Sequence, residues 1–187
     1  MKTLLLAVRL TVATLACTPG VVLAQDEGKT EAAKLASESQ AALEMLTSSV
    51  PLAAQLKKTA VAILVFPSIT KAGLGIGGQY GEGALLQKGT AVAYYKNTGA
   101  SFGLQAGGQK YGYAMFFTSP KAVTALDNAN GFEVGVGPSV VVVDEGMGKS
   151  TTTNTLKDDV YAFIFSQKGL MAGLGIQGNK IKKITPK

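Results

Sequence analysis

The sequence predicts an α+β fold: a strongly curved antiparallel β-sheet, or barrel-like sandwich, with N-terminal helices and one inserted helix. Apolar residues recur at helical spacing over residues 30–48, and short apolar runs of strand length follow from residue 61 onward. Glycines occupy alternate positions in several of those runs. Because a helix repeats its buried face every 3.6 residues and a strand every two, the change of spacing marks the change of structure.

The N-terminal part of the domain, residues 30–58, is predicted to form two helices. Leu35, Leu43 and Leu46 share one face of the first helix, which carries three glutamates against one lysine. A net charge of −2 has the wrong sign for an anionic membrane surface, so this helix is expected to pack on the protein's own core. Pro51 suits the first turn of the second helix.

The remaining part, residues 59–187, is predicted to be mainly β. Residues 61–66 form a continuous apolar run that Pro67 closes, as in a buried strand. The segments 91–95 and 100–106 flank Lys96-Asn97-Thr98-Gly99, which predicts a hairpin turn at those four residues. Further strands are expected at residues 134–136, 140–143, 160–165 and 170–176.

One helix is predicted to interrupt the strands. Ser119 can cap its N-terminus, Pro120 can occupy its first turn, and Asn130-Gly131 can end it. Its buried face is expected to comprise Ala122, Val123 and Leu126.

Glycine repeats are the most informative feature of the strand region. The sequence Gly-Leu-Gly-Ile-Gly-Gly at residues 73–78 returns almost letter for letter at residues 173–178, and residues 103–108 form a looser third copy. Glycine at alternate positions leaves one strand face without side chains, which permits tight curvature or the close approach of a helix or ligand. The repeats favour a bent sheet covered by the protein's own helix over a ligand groove.

The first 24 residues are predicted to be a secretory signal. Lys2 and Arg9 are basic, residues 10–17 are apolar, and small residues precede a polar stretch that starts at residue 25, as in exported proteins. We expect cleavage after Ala24 and an exported single domain, residues 25–187, in the periplasm or cell envelope.

Cys17 is expected to leave with the signal rather than to be lipidated. A lipoprotein signal carries a bulky aliphatic residue three positions before its cysteine, and Thr14 stands there. Lipoprotein anchoring at Cys17 is the alternative that this position leaves open.

The composition of residues 25–187 argues against several functions. Without Lys2 and Arg9, sixteen lysines face twelve acidic residues, a net charge of +4, and no arginine, histidine or cysteine remains. Missing arginine argues against sequence-specific nucleic-acid binding, and mild basicity suits anionic lipid headgroups. Missing histidine and cysteine remove the commonest general base, nucleophile and metal ligands. We therefore expect no catalytic residues, no cofactor and no metal site.

Two nucleotide-binding motifs are only apparent. Residues 140–151 look like a strand that leads into a phosphate-binding loop, but Val143 occupies the position of an essential glycine. The glycines at 73, 75 and 78 have dinucleotide-binding spacing, yet a glycine-rich stretch follows them instead of a helix.

Several ordered blocks are similar to one known family. They are Val65-Phe66-Pro67, Lys71-Ala72-Gly73, Gly77-Gly78, Gly81-Glu82-Gly83, Tyr94-Tyr95, residues 101–107, residues 131–135, and residues 168–173 with Gly178. Over residues 34–184 the chain resembles the SYLF domain family, also called Ysc84-like, in its bacterial exported branch. The resemblance implies phospholipid binding. Eukaryotic members bind phosphoinositides and some bind actin, but neither is expected in a bacterial envelope, and the family has no established catalytic residues.

The hypothesis is therefore an exported, non-catalytic domain that binds anionic phospholipid headgroups through lysines. Lys71 and Lys168 precede the first and last glycine copies, and Lys57, Lys58, Lys180, Lys182 and Lys183 form the densest basic clusters. The alternatives are a structural or interaction protein of the envelope (a surface antigen) that does not bind lipid, and a small outer-membrane β-barrel. A protein partner also stays open.

Overall fold

The computed structural model describes residues 22–127, 132–133, 140–143, 158–169 and 179–186. Its elements are α1 (Val22–Ser49), α2 (Pro51–Thr59), β1 (Ala62–Gln87), β2 (Thr90–Phe117), α3 (Pro120–Ala125), β3 (Phe132–Glu133), β4 (Val140–Val143), β5 (Val160–Gly169) and β6 (Asn179–Ile184). The predicted α+β class is confirmed. The signal segment up to residue 21, the strands expected at 134–136 and 170–176 and the glycine copy at 173–178 lie outside the described residues.

Both predicted N-terminal helices are present. α1 includes the whole 30–48 segment, and α2 begins at Pro51 as expected. Leu43, Leu46 and Leu56 are buried in the same apolar cluster as Val65 of β1. α1 therefore packs on the protein's own core, as its charge predicted. None of the helices in the described ranges combines the length and the hydrophobicity that crossing a bilayer requires.

The inserted helix is present as α3. The hydroxyl of Ser119 accepts a hydrogen bond from the backbone N–H of Ala122 at 3.3 Å, which is the predicted cap. Ala122 and Leu126 are buried. The predicted end of the helix at Asn130-Gly131 is wrong, because α3 already ends at Ala125 with Leu126 as its C-cap.

The strands form one sheet in the order β3-β6-β2-β5-β4, with β1 paired to β2. On its other edge β2 pairs with β6 through residues 94–99 and with β5 through residues 109–117. All described pairs are antiparallel except β4–β5, so the predicted antiparallel sheet is mixed at one edge. Neither β3, which has two residues, nor β6, which has six, was predicted as a strand.

The hairpin between β1 and β2 differs from the prediction. The turn lies at Lys88 and Gly89, whose φ angles of 50° and 82° match a two-residue type I′ turn. Lys96-Asn97-Thr98-Gly99 lies inside β2, where it pairs with β1 on one side and β6 on the other. Hydrogen bonding to two strands overrides the local turn preference of these residues.

Pro67 does not end the first strand as expected. β1 continues through it to Gln87, and the pairing register with β2 shifts between Phe66 and Ile69. A proline has no N–H to donate, so it is tolerated at such an irregularity.

The glycine repeat at residues 73–78 bends the β1–β2 ribbon. Gly73 pairs with Gly107 of the third copy, and the register shifts between Leu74 and Ile76. A Cβ added to Gly73 would lie 2.3 Å from the Cα of Gly77, so the chain turns back too sharply for a side chain.

The bend brings the two ends of β1 together. A Cβ added to Gly83 would lie 2.2 Å from the carbonyl oxygen of Val65, although eighteen residues separate the two along one strand. The sheet is therefore strongly curved, as the glycine spacing predicted, and the curvature depends on backbone contacts that only glycine allows.

The sheet buries side chains on both faces. On the helix face, which α1 and α2 cover, lie Ile63, Val65, Ala114, Phe116 and Phe163. On the far face, against which α3 packs, lie Leu64, Phe66, Tyr113, Met115 and Val160. Side chains alternate between the two faces along each strand. The face of another residue in a regular part of these strands therefore follows from its spacing to one of the residues named above.

Candidate lipid-binding surface

Two lysines face each other across the β2–β5 pair. Lys110 is the direct partner of Lys168, and Thr70 of β1 is its partner on the other side. Lys110 lies four residues before Ala114, so alternation places it on the helix face. Like charges directly opposite in an antiparallel pair destabilise the sheet. The Lys110–Lys168 pair therefore costs the fold some stability.

A bulge in β5 sets the position of Lys168. The register shifts between Lys110 and Gly112, and Ser166 in the bulge has a left-handed φ of 51°. The ring of Phe165 lies over Gly112, where an added Cβ would come within 2.4 Å of it. Bulges re-aim side chains near functional sites, and this one places Lys168 just beyond Phe165.

An apolar cavity of about 260 Å³ opens beside this bulge, between the end of α1 and strands β4 and β5. Its lining consists of Met45, Leu46, Ser49, Val50, Val143, Phe163, Ile164, Phe165 and Ser166. Met45 is 50% exposed, and the Ser166 hydroxyl contacts its sulfur at 3.6 Å. The cavity lining ends at Ser166, two residues before Lys168 along β5. Apolar space next to paired cations complements an acyl chain next to an anionic headgroup.

A second like-charged pair lies on the same face. Lys96 of β2 is the direct partner of Lys182 in β6, and Glu82 of β1 is its partner on the other side. Lys180 lies two residues before Lys182 and shares its side of β6. The two pairs give the helix face four lysines outside the area that α1 and α2 cover.

Part of the chain matches a known protein family. Residues 98–185 match the family model Ysc84, described as Las17-binding protein actin regulator. Over these residues the chain is similar to the Ysc84 family. No curated protein matches the chain. The matched range contains Lys110, Lys168 and Lys182, whereas residues 34–97 rest on the sequence blocks alone.

The fold brings only some of the predicted lysines together. Lys168 and Lys182 belong to the two pairs. Lys183 points to the far side of β6, where its ammonium binds the carboxylate of Asp127 at 3.0 Å. The hydroxyl of Tyr95 donates to the same carboxylate at 3.2 Å, which together with burial raises the pKa of Tyr95. Lys183 therefore already has a partner within the fold.

Three other predicted lysines lie elsewhere. Lys57 and Lys58 are exposed at the end of α2. From there β1 runs eight residues, from Ala62 to Thr70, before it reaches the row of Lys110, roughly 26 Å at about 3.3 Å per residue. Lys71 is only 2% exposed and lies on the far face. It lies close to the row of Lys168, since its partner Gln109 precedes Lys110 in β2, but it points the opposite way.

A larger cleft of about 360 Å³ lies between α1 and β1 and does not suit an anion. Its charged lining consists of Glu31, Glu38 and Glu82 against Lys34. Tyr80 donates a hydrogen bond to Glu82, which raises the pKa of the tyrosine. No group of acidic residues in the described ranges has the arrangement of a metal site.

Lys96 and Lys110 were missed at the level of sequence. Each stands alone in the chain, without a basic neighbour. Only the strand register reveals that each of them faces another lysine, because the partner of Lys110 is 58 positions away in the chain and that of Lys96 is 86 positions away.

Proposed function

We propose that this domain binds anionic phospholipid reversibly at the helix face. Lys110 and Lys168 contact the headgroup phosphate, and the cavity beside Phe165 receives part of an acyl chain. The observation that carries the proposal is the like-charged Lys110–Lys168 pair next to an apolar cavity. Lys96 and Lys182 add a second cationic contact with the same surface.

The energies suit a reversible interaction. A lysine near an anionic membrane contributes about 1 kcal/mol, and each buried methylene about 0.8 kcal/mol. Four lysines and a short length of acyl chain outweigh the cost of two like-charged pairs, each of which is on the order of 0.2–1 kcal/mol. Dissolved salt weakens the attraction between the lysines and the membrane, because the screening length falls from about 10 Å at 0.1 M salt to about 3 Å at 1 M.

The family supports this kind of role, since its description names a regulator that works by binding. We propose a lipid rather than actin as the ligand, because the signal-like segment with Lys2 and Arg9 suggests export to a bacterial periplasm or envelope, where actin is not expected. The domain is proposed to be non-catalytic.

Vesicle co-sedimentation of the purified protein tests the proposal. Vesicles of phosphatidylcholine alone are compared with vesicles that also contain phosphatidylglycerol, over a series of salt concentrations. We expect the protein to sediment with the anionic vesicles only and to return to the supernatant as salt rises. Protein that stays in the supernatant with both lipids at low salt would refute lipid binding and would favour a protein partner.

A further inference from the structure

The far face of the sheet turns from apolar to polar near the glycine bend. Beyond Ile69 and Tyr95 most of the described buried residues are polar or charged. They are Lys71, Gln79, Asn97, Gln109 and Asn179. Long polar side chains are seldom fully buried without partners, so this cluster requires an explanation.

Gln79 organises the cluster. Its amide nitrogen donates to the side-chain oxygen of Asn179 at 2.6 Å and to that of Asn97 at 3.3 Å. Its oxygen accepts from the hydroxyl of Tyr111 at 3.1 Å. Because Tyr111 and Gln109 are alternate residues of β2, and Gln109 is the direct partner of Lys71, the cluster is continuous from Asn97 to Lys71.

Three buried atoms in or beside this cluster have no hydrogen-bond partner within the described structure. They are the amide nitrogen of Asn97, the amide oxygen of Gln109 and the hydroxyl of Tyr113. A buried polar atom without a partner costs about 1–3 kcal/mol. Burial raises the pKa of Tyr111 to about 12 and raises that of Tyr113 further. Both hydroxyls therefore stay protonated and able to donate at neutral pH.

Lys71 adds a positive charge to this setting. Its side chain is 2% exposed, and none of the described carboxylates forms an ion pair with it. An anion bound beside Lys71 would supply a counter-charge for its ammonium and would accept from the free amide nitrogen of Asn97.

We propose that this far-face cluster is a binding site for a phosphate ester that carries a free hydroxyl, such as glycerol phosphate. The phosphate accepts from the ammonium of Lys71 and the amide nitrogen of Asn97, and the ligand hydroxyl donates to the oxygen of Gln109. The same chemistry is presented by a free small molecule and by the headgroup of phosphatidylglycerol. The site lies on the face opposite the Lys110–Lys168 pair, so it goes beyond the surface binding proposed above.

Nuclear magnetic resonance of the purified protein tests the site through the side-chain amide signals of Asn97. Titration with sn-glycerol 3-phosphate is expected to shift these signals saturably, and glycerol alone is expected to leave them unchanged. Vesicles of phosphatidylglycerol form a second arm. A shift with the free ester identifies a soluble ligand, and a shift with the vesicles alone identifies the lipid headgroup. No shift in either arm would overturn the site.

Two variants test the assigned contacts. Lys71→Met and Asn97→Asp should each weaken binding at least tenfold. Because Asn97→Asp has no side-chain amide at residue 97, its binding is followed through the side-chain amide signals of Gln109. The first removes the cation, and folding should tolerate the change because methionine keeps much of the apolar stem that lysine buries here. The second keeps the oxygen that accepts from Gln79 and places a carboxylate against the phosphate. Unchanged affinity in both folded variants would overturn the assignment.

The same variant separates the interior site from the surface site. If Lys71→Met still sediments with anionic vesicles but its Asn97 signals no longer respond to the ester, the two sites are separate. Failure of the surface proposal would instead abolish sedimentation of the unmodified protein while the Asn97 response to the free ester remained.

Discussion

Replacing Lys110 and Lys168 together by glutamine is expected to weaken binding to phosphatidylglycerol vesicles roughly 30-fold. Each lysine near an anionic surface contributes about 1 kcal/mol, and about 1.4 kcal/mol corresponds to a factor of ten in affinity. The two residues lie directly opposite each other, so both meet the same stretch of membrane. Binding is measured by vesicle co-sedimentation at low salt.

The matched control is the double change Lys57→Gln and Lys58→Gln, which removes the same charge at the other end of the sheet. It is expected to alter affinity by less than the Lys110/Lys168 change. Lys168→Gln alone should also raise the free energy of unfolding by about 0.2–1 kcal/mol, because it relieves a cross-strand repulsion. Equal loss of binding in both double variants would show that net charge, rather than this pair, attracts the membrane.

Replacing Gly83 by alanine is expected to lower the free energy of unfolding by about 3 kcal/mol or more, at or above the upper end for overpacking. The added Cβ would lie 2.2 Å from the carbonyl oxygen of Val65 and 2.8 Å from the ring of Phe66. Both neighbours belong to buried parts of the sheet, so neither can move away cheaply. Urea unfolding followed by circular dichroism measures the change.

Gly78→Ala on the same strand is the control for this variant. The nearest atom to its added Cβ is the carbonyl oxygen of Gly99 at 3.8 Å, an ordinary contact. With no clash, the loss of chain entropy in the unfolded state should stabilise the protein by about 0.4–1 kcal/mol. Equal stability of the two alanine variants would contradict the close crossing of the two ends of β1.

Local signals in the sequence were sufficient for the helices. The periodicity of α1, Pro51 at the start of α2 and the cap at Ser119 all depend on residues within a few positions of one another, and all were confirmed. The strand at Val160 was predicted as far as residue 165, where burial ends, although pairing continues to Gly169. Apolar patterning detects the buried part of a strand and misses its exposed extension.

Long-range pairing explains where sequence reasoning failed. Lys96-Asn97-Thr98-Gly99 has good turn residues, but β1 and β6 hydrogen-bond to it on both sides, whereas Lys88 and Gly89 make the actual turn. The glycine repeat correctly predicted a bend. The close backbone contact that requires glycine there joins residues near one another in the chain, such as Gly73 and Gly77.

The candidate site depends on register in the same way. Clusters of lysine in the chain identified Lys180, Lys182 and Lys183, yet neighbours on a strand point to opposite faces, and Lys183 binds Asp127. Lys71 was expected among the surface lysines, and its burial runs against the general preference of lysine for solvent. Sequence alone carries no signal for such an exception.

The most direct measurement asks which end of the sheet meets the membrane. In a Cys17→Ser background, which removes the single native cysteine, an environment-sensitive fluorophore is attached to Thr70→Cys or to Val61→Cys. Thr70 is exposed beside Lys110, and Val61 is exposed just before the start of β1, nine residues earlier in the chain. With phosphatidylglycerol vesicles that carry a lipid-attached quencher, we expect strong quenching of the label at residue 70 and little at residue 61. Stronger quenching at residue 61, or binding without quenching at residue 70, would contradict the proposed lipid-binding surface.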